Sequence, residues 1–145
     1  MISPAVNIWY VFSEIEQSKL FRYKIAKVDR IIFDEPDKKF LMKPDIVVTK
    51  GDETFVMDTK WKVLSDNKIN YGIYQPDMYQ MYSYQKKYNA QNVTLLYPKT
   101  ENISSDKKIK FTSNDKVTVQ VNFVDLLNIE SMDFEHLLKE SQHED

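Results

Sequence analysis

The spacing of apolar and polar residues changes several times along the chain, and each change marks an element. Ser3-Pro4 has the form of an N-cap with proline at the first helical position. Behind it, Ile8, Trp9, Val11, Phe12 and Ile15 predict a helix over residues 5–20 with a broad apolar face. A strand is expected over 26–33, followed by the polar turn Asp34-Glu35-Pro36-Asp37-Lys38-Lys39. The next strand is expected over 40–49, where Pro44 suits an edge, a bulge or an irregular start. Lys50-Gly51-Asp52 makes a turn, and a returning strand fills 53–62.

Residues 64–73 are polar and read as a loop. Pro76 suits the first turn of a helix running to Tyr88 through Met78, Tyr79, Met81, Tyr82 and Tyr84. A short strand of buried type, 93–97, is closed by Pro98. Two more strands are expected over 107–112 and 116–123, and one or two short helices over 124–140. This order predicts an α/β or α+β domain with a central mixed sheet. The length of 145 residues suits a single domain over 1–145 with a real core.

Charge and composition narrow the chemistry. Cysteine is absent and there are only two histidines, His136 and His143, so thiolate and histidine-rich metal sites are excluded. A catalytic metal would need oxygen ligands, which favours Mg2+ or Mn2+. No apolar run approaches a membrane span, and a cytoplasmic protein is the expectation. The net charge is −2, but it is unevenly placed. Residues 124–145 hold seven acids and one base, leaving a body of net +4 ahead of an acidic tail. Such a body permits phosphate binding without requiring it.

The candidate chemistry lies in the predicted hairpin KPDIVVTKGDETFVMDTKWK. Alternation along a strand turns Asp58 and Lys60 to one face and Thr59 to the other. If the two strands pair, Asp45 lies beside Asp58. The Asp-x-Lys pattern alone is common: it also occurs at Asp37, Asp66 and Asp106, and Pro-Asp occurs at Pro36, Pro44 and Pro76. Only Asp58 and Lys60 are set in an apolar strand, between Phe55-Val56-Met57 and Trp61. Only Pro44-Asp45 opens directly into a comparable run, Ile46-Val47-Val48. Charges beside buried strands are costly unless paired or functional. On the residues alone, a structural Asp–Lys ion pair and a metal site both fit. Trp61, facing the other way, is expected in the core.

Pro44-Asp45, twelve residues, then Asp58-Thr59-Lys60 resembles the PD-(D/E)xK nuclease superfamily. The runs LMKPDIVV, MDTKWK, DMYQMYSY and TLLYP, in that order over residues 40–98, resemble the McrC nuclease domain of the McrBC modification-dependent restriction system. The resemblance implies a restriction-endonuclease-like sheet flanked by helices and magnesium-dependent hydrolysis of DNA phosphodiesters. Asp45, Asp58 and the backbone carbonyl of Thr59 would hold the metal. Lys60 would orient or help deprotonate the attacking water.

Gln80 and Tyr84, four apart on one helix face, resemble a Gln-x-x-x-Tyr element of such nucleases. Gln80 would act near the lysine or the DNA backbone, and Tyr84 would pack or contact substrate. Glu14, on the first helix, is the candidate for a further metal ligand; Ser13 interrupts the family's Phe-Glu pair, and Glu16 is the alternative. Lys62 could meet a DNA phosphate or simply be solvated. Asp77 is accounted for as an acid at a helix N-terminus.

The implied partners are DNA and an McrB-like GTP-driven motor subunit, with a homo-oligomer left open. The chain lacks a phosphate-binding Gly-x-x-x-x-Gly-Lys loop and is not that motor. It is short for a whole McrC subunit and reads as a fragment or a minimal version. A catalytically silent assembly module and another nuclease of the superfamily, such as an exonuclease or junction-cleaving enzyme, are the competing readings.

Overall fold

The computed structural model describes residues 24–26, 28–37, 39–104 and 108–125. Their strands are β1 (Lys24–Ala26), β2 (Arg30–Phe33), β3 (Lys39–Met42), β4 (Ile46–Lys50), β5 (Glu53–Thr59), β6 (Asn92–Pro98), β7 (Ile109–Thr112) and β8 (Thr118–Val124). A 3-10 turn, Ile69–Gly72, and a helix, α1 (Gln75–Tyr88), lie between β5 and β6. The expected helix over 5–20 lies outside the described residues, as does Glu14; of the helices expected over 124–140, Val124 is the last residue of β8 instead, and residues 126–140 lie outside the described residues.

Six strands form one mixed sheet in the order β1-β4-β5-β6-β8-β7, and β2 pairs with β3 in a separate two-stranded sheet. β4 and β5 are the antiparallel hairpin, with Val47 opposite Val56 and Ile46 opposite Met57. β5 then pairs in parallel with β6, and β6 in parallel with β8. A parallel neighbour needs a crossover. Between β5 and β6 the chain makes it through α1, which packs on β5, β6 and β8. This is the mixed α/β architecture expected from the order of elements.

The central strands are buried on both faces: Ile46, Val48, Phe55 and Met57 on one, Val47, Val56, Val93 and Leu95 on the other, none more than 2% exposed. Two-sided burial explains why these strands read as unbroken apolar runs rather than alternating ones.

The helix begins at Gln75 with Pro76 in its first turn and stops at Asn89, which adopts a left-handed conformation and returns its N–H to the Gln85 carbonyl. Met81, Tyr84 and Tyr88 are its buried residues and belong to the core cluster with Val56, Val93, Leu95 and Tyr97. They follow one another at helical spacing, and the same stripe continues backward to Gln80 and Asp77. So the sheet-facing stripe of α1 is apolar through its later turns and polar in its first ones.

Several expected boundaries move. The strand expected over 26–33 is two strands in two sheets, because β1 pairs with β4 and β2 with β3. The strand expected over 40–49 is likewise divided, by Lys43-Pro44-Asp45, since proline offers no N–H to the ladder. β5 ends at Thr59 rather than Lys62. Beyond it strict alternation no longer applies, and Trp61 is 38% exposed rather than in the core.

Candidate active site

β5 carries Val56 and Asp58 on the face covered by α1, and Asp45 lies one step beyond β4 in the same antiparallel register. The hairpin thus brings together two acids that are thirteen residues apart in sequence, at the end of the sheet where the polar start of α1 arrives. Asp58 is buried, Asp45 half-buried.

The two acids are tied through backbone as well as proximity. The Asp45 N–H donates to Asp58 Oδ1 at 3.1 Å. Asp45 Oδ2 accepts from both the N–H and the hydroxyl of Thr59, each at 2.8 Å. Alternation would turn the Thr59 side chain away from this cluster. It reaches Asp45 because β5 ends at Thr59 and Asp45 sits in the irregular link ahead of β4. Each acid is therefore held by the strand opposite its own, which fixes their spacing without using a flexible side chain as the strut.

Lys60 is held from three directions. Its Nζ lies 2.8 Å from Asp58 Oδ2, 2.7 Å from Gln80 Oε1 and 3.4 Å from Asp77 Oδ1. Its backbone N–H donates to the Leu96 carbonyl at 2.9 Å, extending the β5–β6 ladder one residue past the strand end. Gln80 and Asp77 come from α1, so the helix that crosses from β5 to β6 also supplies the lysine's partners. The lysine side chain is 19% exposed.

The electrostatics follow from this packing. Burial pushes the Asp58 carboxyl up to about 6; the Lys60 hydrogen bond opposes that, and the neighbouring charge of Asp45 adds to it. For Lys60, burial disfavours the charge, but the hydrogen bond and charge of Asp58, with Asp77 behind them, outweigh it and raise its pKa. Burial, then Asp58 and Asp45, raise the Tyr84 phenol. Burial, then Asp77 and Asp58, raise that of Tyr97. Tyr97 is 1% exposed, and its hydroxyl has no hydrogen-bond partner among the described residues.

The expected residues divide accordingly. Asp45, Asp58, Thr59, Lys60 and Gln80 converge. Tyr84 does not reach a surface that DNA could touch: it is 2% exposed and packs edge-on against Tyr88, with ring centroids 6.2 Å apart. Of the two roles open to it in sequence, the packing role is the one its position allows. Lys62 lies outside the cluster, exposed, with its ammonium 5.6 Å from the centroid of Tyr74.

Two residues at the site were not singled out for it in the sequence, Asp77 and Tyr97. Asp77 was legible in principle, since it precedes Gln80 by three residues and shares its helix face. Tyr97 was not, because only the parallel pairing of β6 with β5 places it near Asp58.

The model of the family described as the McrBC 5-methylcytosine restriction system component matches residues 10–98. The chain belongs to that family. The match spans both acids, Lys60, Gln80 and Tyr97. Among curated proteins nothing matches significantly. A solved structure titled "Crystal structure of SSO0001" is 17% identical, with a TM-score of 0.43, over 97% of this chain and 60% of that one. This chain thus spans about three-fifths of the length of that protein. No helix among the described residues is long and apolar enough to cross a membrane.

Proposed function

We propose that this chain is the DNA-cleaving domain of its restriction system, a magnesium- or manganese-dependent endonuclease of the McrC type. The observation that carries the reading is the convergence of Asp45, Asp58 and Lys60 at one sheet end, with Gln80 holding the lysine from a separate element.

The donor set suits a hard divalent cation. Two carboxylates stand close enough for Asp45 to raise the pKa of Asp58, and a cation between them would relieve that repulsion. The carboxylates of Asp45 and Asp58, with the Thr59 carbonyl, would hold it. Among the described residues no group of three or more His, Cys, Asp or Glu side chains is placed to hold a metal. A site with two carboxylates therefore leaves positions for water and for phosphate oxygens, as magnesium commonly does. The Tyr97 hydroxyl, buried and without a hydrogen-bond partner among the described residues, fits the same reading: a water or phosphate oxygen at the site would give that donor an acceptor.

When bound, the cation supplies an activated water and neutralises phosphate charge. The protein's own part is to place and to screen. Asp45 and Asp58 are fixed by backbone N–H groups, so the site is preorganised. Lys60 offers a point positive charge beside the position a phosphate would take, stabilising charge as it develops. Gln80 Oε1 accepts a hydrogen bond from the lysine ammonium without adding a charge of its own, which keeps the ammonium oriented. Specificity for modified DNA, and a GTP-driven motor partner, belong to the rest of the system under this reading.

A catalytically silent assembly module is the second reading, and one observation favours it: both carboxylate oxygens of Asp58 already have partners within the protein. Metal titration separates the two. Calorimetry with Mn2+ should show binding to the wild type and none to Asp58→Ala, and no binding to the wild type favours the silent module. Supplied with its motor partner and methylated plasmid DNA, the wild type should cleave and Asp58→Ala and Lys60→Ala should not. Cleavage that persists in both variants overturns the proposed site.

A further inference from the structure

Lys60 faces two carboxylates, and under the reading above only one of them is a metal ligand. Asp58 would share its charge with the cation. What then faces the lysine is a neutral amide, Gln80, and a dication nearby. An ammonium with a side chain only 19% exposed is poorly placed to recover that loss from water. Asp77 answers this. It comes from the first turn of α1, its Oδ1 is 3.4 Å from the lysine Nζ, and its side chain is 21% exposed. It approaches from the helix rather than from the hairpin that carries the two acids.

We propose that Asp77 is a positioning residue, a carboxylate outside the metal's ligand set that holds the Lys60 ammonium in place while Asp58 is engaged by the cation. The inference rests on the proposed metal site. It also gives Asp77 a role distinct from the general benefit of an acid at a helix N-terminus. The helix effect is indifferent to Lys60; the positioning role exists only through it.

The test uses that difference. Mn2+ affinity is measured by calorimetry for the wild type, Asp77→Asn, Lys60→Met and the double variant. Asp77→Asn should weaken binding about five- to tenfold when Lys60 is present, because the lysine then competes for Asp58. It should change binding less than about twofold in the Lys60→Met background. Asp77→Glu should restore most of the loss. Unchanged affinity in Asp77→Asn, or an equal loss with and without Lys60, overturns the proposal.

A metal-free arm keeps this outcome apart from the fate of the metal site itself. Asp58→Asn removes the charge that a cation would neutralise. The Lys60–Asp77 coupling, read from thermal unfolding of a double-mutant cycle, should be larger in that background than in the wild type. A coupling that is zero or unchanged overturns the proposal even if Mn2+ binds. A wild type that binds no Mn2+ overturns the metal site, whatever the coupling shows.

Discussion

Lys60 Nζ donates to Gln80 Oε1 at 2.7 Å, across twenty residues and from the end of β5 to the second turn of α1. Together with the Asp77 contact, this hydrogen bond ties the lysine beside the two acids to the helix above them. Gln80→Ala should therefore lower cleavage about ten- to a hundredfold while changing DNA affinity little, since it releases the lysine rather than a phosphate contact. Stability should fall by no more than about 1 kcal/mol, the ordinary net worth of one hydrogen bond. Steady-state kinetics with the motor partner and a denaturation curve check both. An unchanged rate would mean the lysine is held adequately without the amide.

The carboxyl of Asp58 titrates near 6, above its ordinary value of 3.8, because it is buried beside Asp45. In the metal-free protein the folded state thus binds its proton more tightly than the unfolded chain. The stabilisation is fully present below about pH 3.8 and is lost as pH rises through about 6. It amounts to roughly 3 kcal/mol over that window. Denaturant unfolding should show the decline between those values, and Asp58→Asn should flatten it.

The cation's affinity should move the other way. Below pH 6 binding must displace the Asp58 proton, so Mn2+ affinity should weaken about tenfold per pH unit. Affinity independent of pH between 5 and 6 would remove Asp58 from the ligand set.

Tyr84 is a packing residue in this fold. Tyr84→Phe should leave metal affinity and DNA binding unchanged, whereas Tyr84→Ala should cost about 3–5 kcal/mol through the cavity left under α1. DNA binding measured by anisotropy, together with a thermal melt, distinguishes this from a substrate contact.

Tyr97 presents the opposite case. Its hydroxyl is buried without a partner among the described residues, so Tyr97→Phe should unfold at the same temperature as the wild type or higher. If the missing acceptor is water or phosphate at the site, the same variant should cleave more slowly, with Mn2+ affinity changed less than the rate. Equal rates would assign the tyrosine to the core alone.

Much of this was legible along the chain. Pro44-Asp45 and Asp58-Thr59-Lys60 stood out because charged residues opening or closing a buried strand need a reason, and the structure brings them within hydrogen-bonding range. The helix from Pro76 to Tyr88, the hairpin turn at Gly51 and the closing strands were readable from period and punctuation. The residue order alone also supported the family resemblance.

What period and spacing left open was decided by pairing partners. Local pattern cannot say that residues 26–33 divide between two sheets, because both parts have strand character and differ only in what they pair with. Nor can it place Trp61, since alternation holds only while the ladder continues, and the ladder ends at Thr59. The amino-acid sequence determined two acids, a lysine and a glutamine suited to one site. Only the tertiary structure decided that α1 lies with its polar first turns over that end of the sheet. That crossing buries Asp58 and gives Lys60 a second carboxylate in Asp77. Long-range contacts of this kind arise from the parallel β5–β6 pairing, which no local stretch of the chain encodes.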